Sequence, residues 1–376
     1  MKQLRYLSFV VICSILFGCG NSRTRTSTVG GDTVPFKYAK GITVIKYKDY
    51  TVAQLQNPWK AGQLLHTYIL VPKTEKRMPR DLPEGDVIRT PVNRSMIATT
   101  AHCQLLEYLH AANAISGVCD LKYILIPDIQ SRVKQGKVAD CGNSMSPIIE
   151  KIISLKPEVL LLSPFNNSGG YGKIERIGVP IVECADYMET SPLGRAEWMK
   201  FYGMIFGCEH RADSLFQVVS QTYLSLKMRA AHLPLGRSIL TERKTGSVWY
   251  CPGGASTIGQ MIADAHGRYA FSKDKHSGSL SLSFEQVLAK AGNSDVWAFK
   301  YDAPSPMTKS QLLAEYPGYR ALKAFQTGEI YECNSSKVPF FEQTPFRPDF
   351  LLRDLIQILH PGTNWGGLRY YKKLNG

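Results

Sequence analysis

The chain has 376 residues, 45 Lys and Arg against 31 Asp and Glu, a formal net charge of +14 and 44% hydrophobic residues. That length exceeds what one compact core usually holds, and the apolar content excludes a disordered chain. The basicity is spread rather than run together, with ten Lys/Arg against five Asp/Glu in residues 36–90 and nine against ten in residues 91–190; this argues against nucleic-acid binding and leaves attraction to an anionic ligand or membrane surface.

Lys2 and Arg5 precede an apolar run from Tyr6 to Phe17. The run is too short to span a bilayer as a helix and has the length of a signal-peptide core. Leu16-Phe17-Gly18-Cys19 closes it in a lipobox pattern. Residues 1–18 are therefore expected to be a lipoprotein signal peptide, with Cys19 lipidated and holding the protein to the cell-envelope membrane on the periplasmic side. Residues 19–35, largely polar from Asn21 to Asp32, read as the lipidated tether. Seven further cysteines (Cys103, Cys119, Cys141, Cys184, Cys208, Cys251, Cys333) show no C-x-x-C spacing. Their odd number leaves at least one thiol unpaired within the chain, and most are expected as buried small hydrophobes.

Residues 36–90 mix short β-type runs, Ile42 to Tyr47 and Leu65 to Val71, with turn signals such as Asn57-Pro58-Trp59, and read as a strand pair added to a first lobe. A repeat of strand and helix signals follows. Ser95 to Thr99 is a strand, Gln104 to His110 begins a helix, and Gly142-Asn143 leads to a helix near Pro147 to Ser154. The strand Val159 to Leu162, the loop Ser163 to Gly172 and the strand Val179 to Val182 complete the first set. Strands rich in Val, Ile and Leu that alternate with helices predict a parallel α/β sheet covered on both faces.

Ser191 to Leu233 carries helical periodicity at Trp198, Phe201, Ile205, Leu215, Phe216, Val219, Tyr223 and Leu226, between a Ser191-Pro192 start and Pro234. Gly207 is its weak point. Glu209 to His232 as one helix would run about 36 Å, long enough to join two lobes. After it the α and β signals recur: strands Ser238 to Thr241 and Ser247 to Tyr250, the turn Pro252-Gly253-Gly254, helices Ser256 to Ala265 and Ser283 to Lys290, strands Asp295 to Phe299 and Ile330-Tyr331, and a last helix Arg347 to Leu359. The expected fold class is α/β, with an N-terminal lobe over residues 36–190, a connecting helix over 191–233 and a C-terminal lobe over 234–376.

Glu150 to Val159, an E-x-I-x-x-L-x-P-[DE] stretch before a hydrophobic strand, and Ser283 to Leu288 before another, resemble the periplasmic substrate-binding proteins of ABC importers for cobalamin, ferric siderophores and haem, in which a helix joins two lobes. The resemblance covers roughly Thr90 to Pro361, and Pro252 to Ser256 and the closing segment Pro345 to Pro361 add to it. Phe36 to Arg89 and the cysteine content depart from it. It implies a ligand held between two α/β sandwiches and a long helix that limits hinge motion. It also implies one surface Glu per lobe that pairs with Arg residues of a membrane permease, and Glu150 and Glu285 stand at the matching positions. A carboxylate in the first turn of an exposed helix complements the helix dipole and accepts a two-pronged Arg contact. The partners implied are the importer's permease and ATPase and a metal-chelate ligand, with no nucleic acid.

In such a fold the ligand meets loops at the carboxyl ends of the strands. This selects Thr100, His102, Phe165, Asn166, Asn167, Tyr171 and Tyr187 in the first lobe, and Trp249, Tyr250, Lys300 and Tyr301 in the second. Flat rings bind macrocycles and chelate rims, and a few polar groups orient them. His102 opens a helix after a strand, where it either caps the helix or reaches a haem iron or cobalt as an axial ligand. Trp198 and Trp297 are expected in the core. No resident cofactor, structural metal or catalytic residue is indicated: G-x-S-x-G, H-E-x-x-H and paired carboxylates are missing, and His266 and the His102/Cys103 pair are the only catalytic-looking groupings. An exported enzyme and a first-row metal-ion receptor on the same architecture stand as alternatives; the latter needs His and carboxylates converging from both lobes.

Overall fold

Residues 32–90 form a five-stranded sheet in place of the expected strand pair, in the order Asp32–Val34, Ile42–Lys46, Thr51–Gln56, Leu64–Pro72, Asp86–Thr90. The computed structural model describes residues 30–165 and 170–374, so the signal peptide, Cys19, Asn166 and Asn167 lie outside the described residues. Neighbouring strands are antiparallel except the last two, which are parallel. The strands were hard to read because each carries polar residues on its wet face: Ile42 and Val44 are buried while Thr43 and Lys46 are exposed.

The first lobe is a parallel sheet in the order Ile181–Glu183, Val159–Leu162, Ser95–Ile97, Ile115–Val118, Ala139–Asp140. Val159–Leu162 lies near its centre, buried at every position, as its unbroken aliphatic run predicts. Tyr68 joins the added sheet to this one. Its hydroxyl donates to the Ile181 carbonyl and accepts from the Glu183 N–H, both at 2.8 Å, so it satisfies part of the open edge of the strand Ile181–Glu183.

The second lobe repeats the plan with the order Arg268–Tyr269, Ser238–Thr241, Val296–Tyr301, Ile330–Asn334, all parallel, closed by the antiparallel Lys372–Lys373. A smaller antiparallel sheet, Lys244–Thr245, Val248–Pro252 and Ser279–Leu282, is set on it. Gly253 and Gly254 make that turn. A Cβ on Gly253 would lie 2.2 Å from the His276 carbonyl oxygen, and one on Gly254 would lie 2.5 Å from those of Phe271 and Ser272, so only glycine lets the segment 271–278 close over the turn.

The run Ser191 to Leu233 is three helices: Pro192–Glu197, Met199–Phe206 and Glu209–Ala231. Ser191 caps the first through Gly194 N–H at 3.1 Å. Gly207, at φ +67°, ends the second, and a Cβ there would lie 2.7 Å from Pro91 Cβ. The third, 23 residues and about 35 Å long, is the long helix; Phe216 and Val219 belong to the first core, and Tyr223, Leu226 and Ala230 to the second. The lobe boundary is crossed once more near the C-terminus. Phe346 is buried in the first core, and Glu342 accepts from the Leu125 N–H at 3.0 Å, so part of the last segment belongs to the first lobe. Trp198 and Trp297 are core residues, and the seven cysteines named above are free thiols, all buried but the half-buried Cys208.

Candidate functional site

Each lobe has a hollow at the carboxyl ends of its parallel strands. In the first, Ala98 and Thr99 follow the strand Ser95–Ile97, Leu162 and Ser163 end the strand Val159–Leu162, and Met145, Phe165 and Tyr171 come from the loops beside them. It encloses about 470 Å³. Its lining is mainly apolar, with Met145 74% and Phe165 49% exposed. Hydrophobic side chains left this open at strand ends mark a surface made to be covered. Tyr171 is fixed by donating to Glu183; burial, and then the Glu183 carboxylate, push its phenol far above the ordinary value. Tyr187 donates to the Pro164 carbonyl at 2.5 Å and so braces the loop that carries Phe165 rather than lining the hollow.

The second hollow, about 400 Å³, is polar. Glu242 and Arg243 follow the strand Ser238–Thr241, Tyr250 comes from Val248–Pro252, Lys300 from Val296–Tyr301, and Ser277 and Ser279 from the segment packed on the glycine turn. Residues 185–189 lie between the two regions. Tyr187 contacts the loop of the first hollow, while the Glu189 carbonyl accepts from the Thr257 hydroxyl, in the wall of the second, at 3.3 Å.

Phe165, Tyr171, Tyr250 and Lys300 are thus brought to the hollows; besides Tyr187, four other candidates are not. His102 is 2% exposed; its Nε2 lies 3.0 Å from Asp186 Oδ1 and 2.9 Å from the Tyr202 hydroxyl, and its Nδ1 faces the Thr99 hydroxyl. Its imidazole is committed to a buried network, with no face left for an axial bond. Burial raises the Asp186 carboxyl, but His102, Arg195 and Tyr202 outweigh that and hold it below its usual value. Thr100 is one residue too late: its hydroxyl is buried without a hydrogen-bond partner among the described residues, and Thr99 lines the hollow instead. Trp249 is 0% exposed, its indole N–H donating to the Thr241 carbonyl at 2.9 Å within a cluster with Trp297 and Tyr319. Tyr301 is buried, accepting from the Met307 N–H at 2.8 Å. Successive strand residues face opposite ways, so Trp249 points in where Tyr250 points out, and Tyr301 in where Lys300 points out. Glu242, Arg243 and Met145 were missed because charge or thioether chemistry in a loop carries no local signature.

Glu150 and Glu285 are both exposed, each in the first turn of its helix, Ile149–Leu155 and Phe284–Ala291. Ser283 and Gln286 form a reciprocal cap at the second of these, and hydrogen bonds from the backbone and Ser283 hold Glu285 below the ordinary carboxylate value. Exposed Ile148 and Ile153 flank Glu150. Among the described residues no group of three or more His, Cys, Asp or Glu converges to hold a metal ion, and no helix is long and apolar enough to cross a membrane.

The sequence pattern of the family described as periplasmic binding protein matches residues 109–336. An uncharacterised lipoprotein of Methanocaldococcus jannaschii is 25% identical, over 96% of this chain and 94% of its own length. Among solved structures, a periplasmic haem-binding protein from Pseudomonas aeruginosa superposes with a TM-score of 0.59 at 16% identity, covering 76% of this chain and 99% of that one. A protein of an ABC-type Fe3+-hydroxamate transport system from Saccharomonospora viridis gives 0.56 at 17% identity, with 71% and 93% covered.

Proposed function

Because the chain belongs to the periplasmic binding protein family, we propose that it is the lipid-anchored substrate-binding protein of an ABC importer, which captures an iron complex (ferric siderophore or haem) or cobalamin between its lobes and delivers it to a membrane permease and its ATPase. The observation that carries this reading is the pair of hollows, about 470 and 400 Å³, at equivalent strand ends of the two lobes. Together they suit a ligand larger than a sugar or a bare ion, one half of it apolar. Phe165, Met145 and Tyr171 would cover a ring or hydrocarbon face, and Tyr250 and the serines of the second lobe would hydrogen-bond a polar rim. Asn166 and Asn167, next to Phe165, are kept as ligand-binding candidates. The cation-rich composition supports approach to an anionic membrane surface, and the M. jannaschii relative's description as a lipoprotein supports anchoring through Cys19. Glu150 and Glu285 are the proposed permease contacts.

Calorimetry of the purified protein against haem, a ferric siderophore and cobalamin tests the reading. One of the three is expected to bind with a stoichiometry of about one, as in a single interlobe site. Binding of none of them, or tight binding of free zinc or manganese, would overturn it.

A further inference from the structure

Glu242 is the one residue of the second hollow whose backbone is in the left-handed region, at φ +62°. Side chains other than glycine adopt that conformation at a cost, and it persists where the surroundings hold it. Here two bonds hold it: the Glu242 N–H donates to the Ala298 carbonyl at 2.9 Å, and the Glu242 carbonyl accepts from the Trp297 indole N–H at 2.6 Å. So placed, the carboxylate accepts from the Lys300 ammonium, which also stands 5.3 Å from the centre of the Phe340 ring. The next residue, Arg243, is paired with Glu315 at 2.6 Å. Both cations that line the hollow therefore have a carboxylate of their own.

Resting on the reading of the hollows as a chelate site, we propose that Glu242 is a specificity-determining residue: by holding Lys300 it keeps the second-lobe half of the site electrically balanced and selects chelates that are neutral on that face over polyanionic ones. An anionic group that took Lys300 would leave Glu242 three-quarters buried, without its partner and beside a like charge. A neutral, oxygen-rich rim can use the hydroxyls of Thr245, Tyr250, Thr257, Ser277 and Ser279 in the same lining and leave the pair intact. The chain's net positive charge thus does not reach the ligand through this hollow.

The test measures binding of a neutral ferric trihydroxamate, cyanocobalamin and a polyanionic ferric tris-catecholate to the wild type, Glu242→Gln, Lys300→Gln and the double variant. The wild type is expected to prefer a neutral chelate over the tris-catecholate by about tenfold or more; Glu242→Gln should tighten the tris-catecholate by about tenfold, with a steeper salt dependence, and leave the neutral chelate within about threefold. The double variant should return to the wild-type ratio. If Glu242→Gln does not fold, Lys300→Gln still decides, because the unopposed Glu242 should weaken the tris-catecholate by a larger factor than it weakens the neutral chelates. An unchanged ratio in the folded single variants overturns the inference while the site stands. Binding of none of these chelates, nor of haem, to any of the four proteins overturns the reading of the site, and the inference with it.

Discussion

The backbone N–H of Tyr38 donates to Glu197 Oε2 at 2.6 Å across 159 positions of sequence. Lys37 and Ala39 donate to the same carboxylate at 2.9 Å, and Lys200 Nζ at 3.1 Å. Glu189 does the same for the N–H groups of Lys40 and Gly41 and for the Trp198 indole. Two buried acids thus hold the segment 37–41 at the start of the helical connection, and Tyr38 packs against the cores of both lobes. Glu197→Ala would strand three amides and a lysine, so it should cost about 3 kcal/mol or more in urea unfolding, with Glu197→Gln costing less. A loss below 1 kcal/mol would show that the segment is not tied down through this group.

Trp249 and Tyr250 are neighbours with opposite roles. Trp249→Ala opens a hole in an aromatic cluster and should lower unfolding free energy by about 3–5 kcal/mol. Tyr250→Ala, at a side chain 46% exposed in the second hollow, should leave stability within about 0.5 kcal/mol and weaken chelate binding by on the order of 1–2 kcal/mol. Denaturation and calorimetry on the two variants separate the roles; equal stability loss in both would contradict them.

Much of the fold was legible in this chain because buried parallel strands announce themselves as aliphatic runs, as Val159 to Leu162 does, and because Gly207 and Pro234 punctuate the helices. The added sheet was half-read, since strands such as Thr51–Gln56 and Asp86–Thr90 carry at least as many polar as apolar residues. The site was legible to the level of a loop, not a side chain. Choosing Tyr250 over Trp249, or Lys300 over Tyr301, needs the register of one strand against its neighbours, and His102 was misplaced because its partners Asp186 and Tyr202 are 84 and 100 positions away.

Glu107 makes stability depend on pH. Burial, and then the neighbouring Asp128 carboxylate, push it up to about 7 against the pull of Arg132, from an ordinary value of 4.5. Between those values the folded chain holds a proton that the unfolded chain has released. Its contribution to stability is therefore complete below about 4.5 and is lost as pH rises through about 7. Glu107→Gln should flatten that part of the curve of unfolding free energy against pH; an unchanged slope would contradict the assignment.

Glu150 and Glu285 should act on the partner and not on the ligand. With both changed to Ala, permease association and uptake should fall while chelate affinity stays within about twofold. Pull-down with reconstituted permease, alongside transport at low receptor expression, checks it. Normal uptake by the double variant would remove both residues from the docking surface.

Whether one ligand touches both hollows at once is tested most directly by double-mutant calorimetry with the tightest-binding chelate. Phe165→Ala in the first lobe should weaken the same chelate by on the order of 1–3 kcal/mol and Tyr250→Ala in the second by on the order of 1–2 kcal/mol, with the protein still folded. A chelate that responds to both variants, and to their combination by roughly the sum, places it between the lobes. A chelate that responds to only one, or to neither, would contradict capture between them.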